Sequence, residues 1–275
     1  MDMSRQPFVT LNDGRRMPQI GLGVWQTPDA DAPAVVRVAL EAGYRSVDTA
    51  AVYRNERGVG EGLKAAPRET VFVTTKLWND SQGYDRALKA FDDSVARLGL
   101  DYVDLYLIHW PVPRQGRYRE SWKALVELQQ SGRARSIGVS NFNAALIDEL
   151  VGETGVAPAV NQIELHPGFQ QADLRAAHAA RGVVTESWSP LGRGAMLTDP
   201  VIASIARKHR RTPAQVILRW HLDLGLVVIP KSVRPERIRE NIDVFGFGLD
   251  PDDLADIAYI DNPRGRTGPD PATFG

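Results

Sequence analysis

Hydrophobic positions along the chain recur with two alternating periods. Short runs rich in β-branched residues are "QIGLG", "RSVDT", "VFVTTK", "VDLYLIH", "RSIGVSN", "AVNQIEL", "GVVTESW" and "LVVIPKS". Between them lie longer stretches whose apolar residues return at helical spacing, such as "APAVVRVALEAG", "DRALKAFDDSVARLGL", "SWKALVELQQSG", "AALIDELVG", "ADLRAAHAARG" and "PAQVILRWHLDLG". Several end on a glycine (Gly43, Gly132, Gly182, Gly225), the usual helix stop. Strand–helix alternation predicts parallel strands with helical crossovers, and eight such units in about 250 residues fit a closed (β/α)8 TIM barrel, an α/β fold. Ahead of them "FVTL", the turn "NDGR" and "RMPQIGLG" predict a β-hairpin.

An open doubly wound sheet is the rival, and it would carry a G-x-G-x-x-G loop after its first strand. "GVGEGL" at 58–63 has the wrong spacing and lies inside a helical pattern, and "GLGVW" lacks the third glycine. No linker divides the chain, so residues 1–275 are expected to form a single domain. The Pro- and Gly-rich tail from Pro263 is expected to be irregular.

Composition narrows the function. A formal net charge of −1 gives no electrostatic reason to expect nucleic acid or an anionic membrane as partner. Cysteine is absent, which removes disulfides, thiolate zinc sites and thiol catalysis and fits a reducing cytoplasm. No run reaches the ~18 apolar residues of a membrane span, and "MDMSRQPFVTLNDG" has no apolar signal core. The expected setting is therefore cytoplasmic and soluble. His166, His178, His209 and His221 show no ligand spacing and read as structural, so no metal is expected.

The strand exits are where the chemistry gathers. Asp48 follows the second run, Lys76 the third, His109 the fourth, and Ser140 and Asn141 the fifth. Gln162 and Glu164 belong to the sixth, Glu186 and Trp188 to the seventh, Lys231 and Ser232 to the eighth. In a barrel these positions share the C-terminal mouth, the face on which barrel enzymes work. Taken singly, each has a plainer reading, since Asp, Asn and Ser cap helices and a lone Lys is usually solvated.

The segments "GYRSVDTAAVYRNE", "VFVTTKLW", "GLDYVDLYLIHWP", "IGVSNF", "NQIELHP", "SWSPLGRG" and "IPKSVRPERIRENIDVFGF" resemble the aldo-keto reductase superfamily. The resemblance runs from about residue 7 to the end, and "HWPVPRQGRYRESW" is most similar to the bacterial 2,5-diketo-D-gluconate reductase branch. Two departures are visible: Ser46 stands where many members have His, and Trp188 where many have Tyr.

The resemblance implies an active site of Asp48, Tyr53, Lys76 and His109, and residue chemistry gives each a role. Carbonyl reduction needs a proton donor at the oxygen. A phenol near pKa ~10 holds its proton tightly, and an ammonium beside it is expected to lower that value. Tyr53 is then the acid, Lys76 its tuner, and Asp48 the partner that makes a buried ammonium tolerable. Neutral His109 would orient the carbonyl by a hydrogen bond. The same residues admit a Schiff-base lyase using Lys76, or an NADPH-binding barrel with a regulatory role and little turnover.

NADPH is the cofactor the resemblance implies. Lys231, Ser232 and Arg237 would clamp its 2′-phosphate, with Val233 on the same surface and Glu240 and Asn241 at the adenine. Ser140, Asn141 and Gln162 would hold the carboxamide, Trp188 would stack on the nicotinamide, and the "SPLGRG" turn with Ser189 and Leu191 would wrap the pyrophosphate. Trp25, Trp78 and Trp110 are expected to wall an apolar substrate pocket, whereas Trp122 and Trp220 read as packing residues of helices. The expected activity is NADPH-dependent reduction of aldehydes, ketones or keto-sugar acids by a monomer. The tail from Arg266 to Phe274 is a candidate to fold over the mouth and influence specificity, but the sequence does not locate it.

Overall fold

Eight parallel strands curl around one axis in the computed structural model, which describes residues 6–275. A hairpin of β1 (Phe8–Thr10) and β2 (Arg16–Pro18) comes first, as its turn residues predict. The sheet then runs in chain order through β3 (Leu22–Gly23), β4 (Ser46–Asp48), β5 (Phe72–Leu77), β6 (Val103–Ile108), β7 (Ala134–Ser140), β8 (Val160–Glu164), β9 (Val184–Trp188) and β10 (Val227–Val228). Parallel bridges Ile20↔Val228 and Gly23↔Lys231 join its two edges, so the strands close on themselves. All eight strand runs read from the sequence are present.

Six helices, α1 (Ala32–Ala42), α2 (Glu56–Leu63), α3 (Tyr84–Leu98), α4 (Tyr118–Gln130), α5 (Ala144–Thr154) and α6 (Ala172–Ala179), each follow one strand from β3 to β8. Two helices, α7 (Pro200–His209) and α8 (Pro213–Asp223), separate β9 from β10, and α9 (Pro235–Ile242) and α10 (Pro251–Tyr259) close the chain's regular part. α3 shows why such segments are helical: Ala87, Phe91, Val95 and Leu98 form one buried stripe, and Gly99 ends the helix in the left-handed region at φ 66°.

β6 explains how the sheet separates two cores. Tyr106 and Ile108 pack with the helices, among them Phe91 and Trp122. Leu105 and Leu107 face the other way and pack with the hairpin residues Leu11 and Met17, which plug the bottom of the barrel. Alternation along the strand then sends His109, the next residue of the Leu105–Leu107 series, into the open upper end. Trp122 and Trp220 are buried packing residues, as expected from their helical patterns.

Beyond Asp261 the chain is irregular and turns back over the upper end of the barrel. Gln170 N–H donates to Asp261 Oδ1 at 2.8 Å, and the Phe274 ring lies 4.5 Å from that of Trp110. No helix among the described residues is long and apolar enough to cross a membrane.

Candidate active site

Asp48 ends β4 and Lys76 lies near the end of β5, one strand away, with both side chains directed into the barrel. The Lys76 ammonium donates to Asp48 Oδ1 at 2.5 Å and to the Thr49 carbonyl at 2.8 Å. Neither side chain reaches solvent, at 0% and 2% exposure. Burial pulls the ammonium down, and the carboxylate of Asp48, by its charge and its hydrogen bond, offsets it, so Lys76 is held protonated. Tyr53 sits on a single 3-10 turn, Ala51–Tyr53, just after β4. Its ring centre is 5.1 Å from the Lys76 ammonium and 5.6 Å from the His109 ring.

The turn is held by Asn55, which is fully buried. It accepts from Thr49 Oγ1 at 2.7 Å and donates to the carbonyls of Val24 and Thr27 at 2.9 and 3.0 Å. One amide thereby ties the loop after β3 to the turn that carries Tyr53. Sequence reasoning quoted this residue inside "YRNE" without giving it a role; a polar residue two positions after the tyrosine was the available signal.

Lys76 acts on Tyr53 in the expected direction, drawing the phenol down, but the net shift is upward. Burial is the larger effect, Lys76 acts against it, and the carboxylates of Asp48 and Glu186 add to the rise. His109 follows the expected direction: burial, and then the charge of Lys76, hold it well below the usual imidazole value, so the ring is neutral. Its Nδ1 has no hydrogen-bond partner among the described residues.

These groups open onto a cavity of about 470 Å³. Tyr53, Trp78, His109 and Trp110 line it together with Trp25, so the three tryptophans expected as walls are brought to one place. Trp78 lies edge-on to His109 at 5.2 Å. Phe274 of the tail completes this wall. Ser46 lies on the lumen side of β4 two residues below Asp48, buried and outside the cavity lining.

The four residues expected at the nicotinamide, Ser140, Asn141, Gln162 and Trp188, line the same cavity, as do Ser189, expected at the pyrophosphate, and Lys231, expected at the 2′-phosphate. Asn141 and Ser189 adopt φ of 66° and 49°, a left-handed backbone that side-chain-bearing residues rarely take and that collects at functional sites. Asn141 donates to the His109 carbonyl and to Ser140 Oγ, both at 3.0 Å, and accepts from Trp188 Nε1 at 2.9 Å. The indole is thus fixed in orientation while its ring borders the cavity. The Gln162 amide donates to Asp48 Oδ2 at 2.9 Å and to Glu186 Oε2 at 2.8 Å, which leaves its carbonyl oxygen for a ligand.

The remaining cofactor candidates lie outside this cavity. Leu191 packs between the two helical cores. Ser232 and Asn241 are buried, and Val233, just ahead of α9, and Arg237, within it, are exposed. Glu240 already accepts from Thr212 Oγ1 at 2.8 Å. Lys231, four residues ahead of α9, and Arg237, in its first turn, form no ion pair among the described residues. A cavity bordered by an oriented indole, an amide oxygen and the Lys231 cation, with Arg237 outside it on α9, fits an extended dinucleotide. No cluster of His, Cys, Asp or Glu among the described residues has the spacing of a metal site. The four histidines set aside from the sequence are bonded within the protein, His178 to Asn161 and Thr185, His221 to the carbonyls of Ile217 and Leu165, His209 to Asp253 and His166 to Glu164.

Comparison with known proteins agrees with this geometry. The aldo/keto reductase family pattern matches residues 19–262. An aldo-keto reductase of Mycolicibacterium smegmatis is 56% identical over 270 residues, covering 98% of each chain. The methylglyoxal reductase DkgA of Escherichia coli K12 is 52% identical over 277 residues, covering 99% of this chain and 100% of its own. Among solved structures, an Asp-to-Ala mutant of Gox0644 in complex with NADPH superposes with a TM-score of 0.96 at 56% identity, covering 98% of this chain and 99% of that one. The chain therefore belongs to the aldo/keto reductase family of NADPH-dependent oxidoreductases.

Proposed function

We propose that this enzyme reduces the carbonyl of small aldehydes, ketones or keto-sugar acids to an alcohol, with Tyr53 as the proton donor. The observation that carries this reading is the meeting of Tyr53, His109, Lys76 and Asp48 at one end of an aromatic-walled cavity. Bound NADPH supplies the hydride. The neutral His109 ring donates a hydrogen bond to the carbonyl oxygen and fixes its orientation. Tyr53 gives its proton to the same oxygen as negative charge develops there. An alkoxide is a stronger base than a phenolate, so a phenol with a raised pKa still yields its proton. Lys76 stabilises the phenolate left behind, and Asp48 keeps Lys76 charged.

Trp25, Trp78, Trp110 and Phe274 supply apolar walls for the rest of the substrate. The relatives named methylglyoxal reductase support a small oxo-aldehyde within this range. A Schiff base on Lys76 is disfavoured, because such chemistry needs a neutral, accessible amine and this one is fully buried and held protonated.

Tyr53→Phe tests the assignment. Turnover with NADPH and methylglyoxal should fall by about 100-fold or more, the size of general-acid contributions, while NADPH affinity stays unchanged. Near-normal turnover would remove Tyr53 from the role.

A further inference from the structure

Glu164, at the end of β8, is used by neither the proton chemistry nor the cofactor seat, yet it is almost fully buried at 1% exposure. It lies two residues beyond Gln162 and so faces the same side of the strand. Its partners belong to the C-terminal tail. Oε1 accepts from Thr267 N–H at 2.6 Å and from Thr267 Oγ1 at 2.5 Å, and Oε2 accepts from Gly268 N–H at 2.9 Å. His166 Nε2 lies 3.3 Å from Oε1. Burial pushes this carboxyl up, and the bonds from His166, Thr267 and Gly268 outweigh it and bring it down to about 2, so it is charged under working conditions.

The latch sits between the two halves of the site. A Cβ on Gly268 would lie 2.4 Å from the Trp188 ring, so the tail backbone rests directly on the indole. Immediately afterwards Pro269 and Phe274 enter the cavity lining, with Phe274 4.5 Å from Trp110 and 6.4 Å from Trp78. A cavity of about 140 Å³ is lined by Pro271 and Ala272 of the tail together with Leu146 and Leu174.

We propose that Glu164 is a positioning residue for substrate selection: its carboxylate seats the tail so that Pro269 and Phe274 close the cavity against Trp110, and preference for small carbonyl compounds depends on that seat. The proposal rests on the reading of the cavity as a carbonyl-reducing site.

Two variants test it, Glu164→Gln, which removes the charge, and Thr267→Val, which removes one bond and serves if the first fails to fold. Methylglyoxal and 2-naphthaldehyde are the small and bulky probes. In Glu164→Gln, KM for methylglyoxal should rise about tenfold with kcat little changed, and the preference for the small probe should fall by a similar factor. Thr267→Val should show the same split to a smaller extent. Trypsin cleavage after Arg264 or Arg266, followed by mass spectrometry of the intact enzyme, should become faster in both variants. Unchanged selectivity in a folded variant overturns the proposal, as does tail cleavage at the wild-type rate. If the wild-type enzyme reduces neither aldehyde, the reading of the site fails, and the cleavage rates still decide whether Glu164 seats the tail.

Discussion

The ammonium of Lys76 and the carboxylate of Asp48 meet at 2.5 Å where neither can reach water. Each makes the other's burial tolerable, and removing one partner leaves an uncompensated charge. Asp48→Asn should lower the unfolding free energy by about 3–5 kcal/mol and abolish turnover, because burial then strips the proton from Lys76. The double variant Asp48→Leu, Lys76→Met should recover most of the stability and none of the activity. Urea titrations of the three proteins measure this. An unchanged midpoint in Asp48→Asn would mean the pair carries no such mutual dependence.

How much of this was legible in the sequence depends on the element that carries each residue. Asp48, Lys76, His109 and Gln162 lie at strand ends, and strand alternation dictates which way they point. Tyr53 lies on a 3-10 turn, where no two-residue period applies, and only the resemblance placed it in the site. The tail was illegible for a different reason. Nothing in "PRGRTGPDPATFG" is periodic, and its course is set by a carboxylate about a hundred residues earlier in the chain. The effect of Lys76 on Tyr53 was legible and the net shift was not, because residue types reveal which charges are neighbours, whereas depth of burial is a property of the fold.

Arg237 stands exposed in the first turn of α9 with no ion pair among the described residues, so its charge is available to a ligand. If it grips the 2′-phosphate, Arg237→Ala should weaken NADPH by about 10–100-fold, the equivalent of one charge-assisted bond. NADH, which lacks that phosphate, should bind nearly as before. Fluorescence titration with each nucleotide gives both constants, and equal losses would contradict the clamp.

The stretch "GVGEGL", set aside as a phosphate loop because of its spacing, has a packing role. It lies in α2, where a Cβ at Gly58 would sit 2.1 Å from the Asp29 carbonyl and one at Gly60 2.1 Å from the Leu98 carbonyl. The glycines let α2 touch the backbone on both sides. Alanine favours a helix over glycine by ~1 kcal/mol, but at Gly60 overpacking against a backbone oxygen should outweigh this. Gly60→Ala is expected to lose about 1–3 kcal/mol, read from thermal or urea unfolding. A gain in stability would mean that α3 can move away freely.

Glu186 pairs with Gln162 in the barrel lumen, where burial, and then the charge of Asp48, push its carboxyl up to about 8. In the unfolded chain it returns to the ordinary carboxylate value of ~4.3. Between these two values the folded protein keeps a proton that the unfolded chain has lost, so stability falls as pH rises. The contribution is complete below the unfolded value and gone above the folded one. Glu186→Gln retains an oxygen to accept from Gln162 but has nothing to titrate. The stability of this variant relative to wild type should therefore increase steadily from about pH 5 to pH 8 and level off beyond. Urea unfolding at half-unit steps of pH measures the difference. A constant difference across that range would show that Glu186 is ionised throughout, and that the barrel lumen carries a second negative charge near Asp48.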